Sequence, residues 1–196
     1  MSNLILTDVD DTLLIWLKGF EFFLEKEHDI KVSETPPDGW ALGEWMGIPE
    51  DKVRPYIEEF NHDSWEFGCL PVLEHAKSQL SMLNQAYGYR FVAISSCSNH
   101  PLTVALRKAN LFHIFGDVFE EVHCLPLAQH KSDYLKNYEP TWWVEDRYVN
   151  AVEGLECGHK PIMLRNSQNI KDEAGSDRAI RWVNDWRGVR DLISVE

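Results

Sequence analysis

Long apolar runs are missing from this sequence, and no stretch approaches the ~20 apolar residues that a membrane-spanning helix needs. Close cysteine pairs are missing as well. Cys69, Cys97, Cys124 and Cys157 lie far apart, which argues against a disulfide framework and for free thiols in a reducing compartment. His123, His130 and His159 fall near two of these cysteines, but without the spacing of a zinc site. Positive charge is scarce: 19 Lys and Arg face 32 Asp and Glu, a formal charge of −13. Such an excess opposes binding to nucleic-acid polymers, which recruit basic surfaces. It tolerates a small phosphorylated partner if a cation neutralises the local carboxylates. Internal repeats and low-complexity tracts are absent, and the opening Met1-Ser2-Asn3 lacks the basic start of a signal peptide. The expectation is a cytoplasmic enzyme without a membrane partner.

The 196 residues suffice for one compact domain with its own core. Five short apolar runs read as strands: Leu4–Thr7, Arg90–Ile94, Val118–Val122, Trp142–Val144 and Pro161–Leu164. Runs that are apolar throughout indicate strands covered on both faces, as in a parallel sheet between helices. Helical segments are expected from Asn99 (as cap, with Pro101 in the first turn) to about Asn110, over Lys131–Tyr138, and over Asn150–Cys157 before Gly158. From 17 to 69 no strand is evident. Helical patterns at Phe20–Glu27 and Glu50–Phe60 flank the turn Pro36-Pro37-Asp38-Gly39. The fold expected is an α/β, Rossmann-like three-layer α/β/α core with a mainly parallel sheet, residues 1–16 and 70–196, carrying a small inserted helical cap over 17–69.

The chemistry concentrates in Asp8-Val9-Asp10-Asp11-Thr12, directly after the first strand. Ligands of open α/β sheets sit beyond the carboxyl ends of the strands. Residues two apart at such an end point the same way, which aims Asp8 and Asp10 at one spot. Two carboxylates that close need a divalent cation between them, or one must keep its proton. Either solution suits phosphoryl transfer: Mg²⁺ takes carboxylate and phosphate oxygens, and a protonated Asp10 donates to a leaving alkoxide. Further along, Ser95-Ser96-Cys97-Ser98 leads into a helix and offers donors to an anion. Lys131 opens a helix between the third and fourth strands, and Glu145-Asp146 ends the fourth. Taken singly, these read as an acidic loop, a cap, a surface lysine and helix-start acids. Taken in order, they follow the strands of one sheet with chemistries that serve one reaction.

At these residues the sequence resembles the haloacid dehalogenase-like superfamily of phosphohydrolases, matching its four motifs with Asp8-x-Asp10-x-Thr12, Ser95, Lys131 and Glu145-Asp146. Asp11 stands where many members have glycine. An acid at Asp10 favours a phosphatase over the dehalogenase branch. The resemblance implies Asp8 as nucleophile and Asp10 as general acid and then base, with Mg²⁺ held by Asp8, the main-chain carbonyl of Asp10, and Asp146, with Glu145 nearby. Ser95 (or Ser96), Lys131 and Thr12 would hold the phosphate.

The cap region is rich in rings, Phe20, Trp40, Trp45, Trp65 and Phe67, most of which a small lobe needs for its own core. Trp16 and Phe20, just after the first motif, are the expected substrate contacts. Phe67–Pro71, Met163–Asn169 and Arg181–Trp186 are similar to stretches of the 5′(3′)-deoxyribonucleotidase branch. A nucleoside monophosphate is therefore the expected substrate, with another small metabolite such as a sugar phosphate as the alternative. A catalytically silent nucleotide-binding protein of the same fold is the competing reading from outside enzymology.

Overall fold

The computed structural model describes residues 3–127 and 129–195. Six parallel strands form one sheet in the order β3-β2-β1-β4-β5-β6. They are β1 (Leu4–Thr7), β2 (Arg90–Ser96), β3 (Phe119–Leu125), β4 (Trp142–Glu145), β5 (Lys160–Leu164) and β6 (Arg181–Val183). The five expected runs are all present, shifted or extended by a few residues. The sixth strand was not foreseen, because three residues at a sheet edge carry no run long enough to register.

Strand alternation sends successive side chains to opposite faces. Ile5, Phe91, Ala93, Trp142, Val144, Ile162 and Leu164 share one apolar cluster, which α4 (Ala76–Tyr87), α5 (Pro101–Phe115) and α8 (Trp186–Ser194) help to build. Leu6, Val92, Ile94 and Trp143 face the other way, against α6 (Ser132–Leu135), while Met163 packs on α7 (Tyr148–Glu156). The result is a three-layer α/β/α core with a mainly parallel, Rossmann-like sheet, as expected. In α5, Pro101 holds the first turn, but the residue before the helix is His100, which makes no side-chain cap. Asn99 is thus not the cap. The helix also runs on to Phe115, since Leu111 and Phe115 continue its buried face.

Between β1 and β2 the chain forms α1 (Trp16–His28), α2 (Gly43–Met46) and α3 (Val53–Asp63), with a short 3-10 turn over Glu66–Cys69. Phe20, Phe23, Phe60 and Phe67 are buried together here. Among the described residues no helix is long and apolar enough to cross a membrane.

Candidate active site

Parallel strands end at a common rim, so β1, β2 and β4 deliver their following residues to one place. After Thr7 the chain stays paired for one more residue, Asp8 N–H donating to Val144 O at 2.8 Å. It then turns back tightly: the Val9 carbonyl accepts from Leu13 N–H (2.8 Å) and Leu14 N–H (2.9 Å), with Thr12 N–H at 3.3 Å. This turn needs a left-handed residue, and Asp11 supplies it at φ 52°. Aspartate tolerates that region better than most side chains, which explains how it replaces a glycine. Its carboxylate Oδ1 accepts from Leu17 N–H (3.3 Å) at the start of α1, where the helix dipole favours negative charge.

Asp8, Glu145 and Asp146 each place a carboxylate oxygen within 4.8 Å of the others, and all three are buried. Lys131, itself buried, donates to Asp8 Oδ1 at 2.6 Å and to Glu145 Oε2 at 3.1 Å. One ammonium thus serves two carboxylates, and Asp8 has the shorter contact. Burial and the Asp8 charge push Glu145 up to about 8, although Lys131 and Asn150 (Nδ2 to Oε1, 2.5 Å) pull it down. Asp146 is raised well above the carboxylate range by burial and by Glu145 and Asp8. Lys131 is held above its ordinary value: the carboxylates outweigh its burial. Carboxylates packed this tightly with one lysine are a donor set suited to a hard divalent cation, which accepts charged oxygen ligands. Mg²⁺ fits these residues.

Asp10 adds no side-chain oxygen to that group. Its carboxylate is gripped from behind, by Ser95 Oγ donating to Oδ2 (3.0 Å) and by Arg107 Nη2 donating to Oδ1 (2.5 Å). Burial raises Asp10 above the usual carboxylate range, with Asp8 adding to the effect and Arg107 opposing it. Asp11, pushed up to about 7, owes its shift to burial and then to Asp10.

A cavity of about 220 Å³ opens over these groups, lined by Asp8, Asp10, Lys131, Glu145 and Asp146 below and by Trp16, Trp40, Leu42 and Ile57 above. Ser96 lines it too, whereas Ser95 is fully buried beneath Asp10. Of the two serines, it is Ser96 that lines the cavity. Thr12 is also buried away from the cavity, with its Oγ1 unpartnered and its carbonyl accepting from Trp186 Nε1 (2.7 Å). Trp16 reaches the cavity, its Nε1 donating to Asn61 Oδ1 (3.0 Å). Phe20, one turn further along the same helix face, stacks behind Trp16 at 4.8 Å, has no exposed surface and does not line the cavity. Trp40, grouped by sequence with core rings, lies instead on the cavity wall, with the Arg147 guanidinium 5.1 Å from its ring centre.

Sequence reasoning missed Arg107, because an arginine on a helix ordinarily points to solvent. It also missed two amides. Asn166 Nδ2 donates to Asp146 Oδ2 (3.0 Å), and Asn169 Nδ2 to the Asp146 carbonyl (2.6 Å) and the Leu164 carbonyl (2.7 Å), fixing the acid against the loop after β5. Two asparagines three residues apart after a strand were the available signal.

No family model matches the chain. A curated relative from Enterobacteria phage T4, an uncharacterized 32.4 kDa protein in the Gp30-rIII intergenic region, is 24% identical over 173 residues, 84% of this chain. This chain spans 59% of that protein's length. Among solved structures, a predicted phosphatase from Clostridium acetobutylicum superposes with TM-score 0.68 at 19% identity, covering 100% of both chains. A haloacid dehalogenase-like family hydrolase from Streptococcus pneumoniae gives TM-score 0.68 at 14% identity, over 100% of this chain and 99% of that one. L-2-haloacid dehalogenase from Xanthobacter autotrophicus gives TM-score 0.65 at 10% identity, over 99% of each. End-to-end agreement at such low identity establishes the architecture: this chain has the haloacid dehalogenase-like fold.

Proposed function

We propose that the protein is a Mg²⁺-dependent phosphohydrolase that cleaves small phosphate monoesters through a phosphorylated Asp8. The observation that carries this reading is the convergence of Asp8, Glu145 and Asp146 around one point beside Lys131. Bound by those three side chains and the Asp10 carbonyl, Mg²⁺ would neutralise charge on the phosphoryl oxygens. Asp8 attacks phosphorus, and the ester oxygen departs with a proton from Asp10. Asp10 then takes a proton from the water that attacks the aspartyl-phosphate, which releases phosphate and restores Asp8. Lys131 and Ser96 hold the phosphoryl oxygens as charge develops on them.

Residues 17–69 act in this reading as a cap that brings Trp40, Leu42 and Ile57 over the site. The substrate we favour is a nucleoside monophosphate, whose base would stack on Trp16 or Trp40. One observation favours a second reading: the cavity, about 220 Å³, is smaller than the roughly 300 Å³ at which ligand pockets for drug-sized molecules begin. That size favours a ligand smaller than a nucleotide, such as a sugar phosphate. Structurally similar proteins include D,D-heptose 1,7-bisphosphate phosphatase from Burkholderia thailandensis, at TM-score 0.58. The four cysteines are free thiols, in keeping with a cytoplasmic, reducing setting.

Phosphate release by the purified protein across deoxynucleotides, ribonucleotides and sugar phosphates, with Mg²⁺ and after chelation, tests the proposal. Turnover is expected to vanish in Asp8→Asn and without divalent metal. Full activity in Asp8→Asn would refute the covalent route, and activity without metal would refute the ion. Equal or better turnover of sugar phosphates overturns the nucleotide preference, and none on any ester leaves the silent binder.

A further inference from the structure

We infer that Arg107 is a positioning residue for Asp10: it holds the carboxylate at the angle from which a proton reaches the leaving group. The inference rests on the phosphohydrolase reading above and adds to it a residue outside the cavity.

Arg107 is wholly buried in α5 and does not line the cavity. Its Nη2 donates to Asp10 Oδ1 at 2.5 Å while its plane lies over Phe67, 4.2 Å from the ring centre. The parity of β2 explains the meeting: Phe91, Ala93, Ser95 and Cys97 share the strand face that α5 covers, so Ser95 and Arg107 approach Asp10 from the same side. Each takes one carboxylate oxygen. With both oxygens tethered, rotation about the last bond of Asp10 is blocked, and only the remaining lone pairs face the cavity.

Folding does not account for this arginine. Its Nε and Nη1 are buried with no hydrogen-bond partner, the condition in which a buried polar group costs stability. Removing one member of a buried ion pair usually costs stability by stranding the other, a cost that falls where the stranded group can reach water. Asp10 can, because its side chain retains 20% exposure toward the cavity. A group that is poorly satisfied as structure and yet fixes one oxygen of a cavity acid is explained by what it does for that acid.

The role has a signature that a structural role lacks. Positioned proton donation matters for an alkyl phosphate, whose leaving alkoxide needs the proton, and matters little for a nitrophenyl phosphate, whose leaving group does not. In Arg107→Met with Mg²⁺ present, kcat/KM, which reports the step before the common aspartyl-phosphate, should fall at least tenfold further on an alkyl phosphate than on the nitrophenyl ester, out of the ~10²–10⁴-fold that general acid catalysis supplies. KM should stay within about threefold, since groups that meet the phosphate are untouched. Combining the change with Asp10→Asn should cost no more than Asp10→Asn alone. A lower thermal midpoint for Arg107→Met is expected from the unpaired Asp10, so the leaving-group split and not the midpoint carries the assignment. Arg107→Lys, which keeps a charge but loses reach, should show the same leaving-group split at smaller size, and it serves alone if the Met variant does not fold. Equal losses of kcat/KM on both esters, no loss, or additivity with Asp10→Asn overturns the assignment. A parent protein that hydrolyses neither ester overturns the phosphohydrolase reading first, and this inference with it.

Discussion

Removing metal should make the stability of this protein fall as pH rises through the neutral range, and Glu145 contributes a definable share of the effect. Its carboxyl, ordinarily near 4.5, is pushed up to about 8 by burial and by Asp8. Below the ordinary value the group is protonated in both folded and unfolded chains; above about 8 it is ionised in both. Between those limits the folded protein holds a proton that the unfolded chain has released, so the stability gained is present at low pH and lost as pH climbs. One proton corresponds to about 1.4 kcal/mol per pH unit, so a rise from about pH 5.5 to about 7 costs roughly 2 kcal/mol from Glu145 alone. At about 2–4 °C per kcal/mol for a chain of this size, the melting temperature should drop by about 4–8 °C. Asp146 and Asp10, both raised by burial, and Asp11, raised to about 7, add in the same direction within this window. Cys97, drawn down to about 7 chiefly by its contact with Cys124, acts oppositely at higher pH, which is why the window ends there. Calorimetry of chelated protein at several pH values measures the slope, and Glu145→Gln should remove the share due to Glu145. Saturating Mg²⁺ should suppress the slope by keeping the carboxylates ionised. A flat metal-free profile, or the same slope in Glu145→Gln, would refute the reasoning.

Three further outcomes follow from the same structure. Mg²⁺ at about 100 times its dissociation constant should stabilise the fold by ~2.7 kcal/mol, a melting shift of roughly 5–10 °C that Asp146→Asn should largely abolish in a thermal-shift assay. A Cβ at Gly154 would stand 2.3 Å from Cδ1 of the buried Trp143. Gly154→Ala should therefore lose about 2 kcal/mol in urea unfolding, the clash outweighing the ~1 kcal/mol that alanine gains in a helix. Asp185 caps α8 by accepting from Arg187 N–H (2.8 Å) and Gly188 N–H (3.2 Å). Asp185→Ala should cost ~1 kcal/mol by the same measurement.

The acidic rim was legible in the sequence to the extent that charged and hydroxyl residues followed directly after an apolar strand. Asp8, Asp10, Ser96, Lys131, Glu145 and Asp146 all line the cavity, since each lies at or just beyond a strand end or at the start of the short α6. What stayed hidden depended on side-chain direction. Whether Ser95 or Ser96 faces a ligand turns on strand parity, which shifts with one residue of uncertainty in the strand's end. Trp16 and Phe20 share a helix face, yet only the first is near enough the rim, so the second became its backing. Trp40 sits in a stretch without periodicity, where nothing distinguishes a core ring from a cavity wall. Arg107 is the sharpest case: beside Leu106 and Lys108 it reads as a solvated charge, and only the fold shows it driven inward to meet Asp10.

That inward arginine belongs to a wider electrostatic problem. Parallel topology collects the ends of β1 and β4 at one rim, and with them Asp8, Asp10, Asp11, Glu145 and Asp146, while the buried cations beside them are Lys131 and Arg107. Lys131 is spent on Asp8 and Glu145, Arg107 on Asp10. Left so, the rim would repel the anion that the proposed reaction brings to it, and each unmatched carboxylate is driven toward its protonated form. A chain that needed only to fold would not keep this arrangement, because amides at the same places would pack with less strain. It makes sense for a protein whose rim is completed by a divalent cation. In the proposed reaction such a cation would relieve the repulsion among the acids and reverse the sign of the field met by a phosphate, so metal affinity, phosphate affinity and resting stability would be three expressions of one charge imbalance.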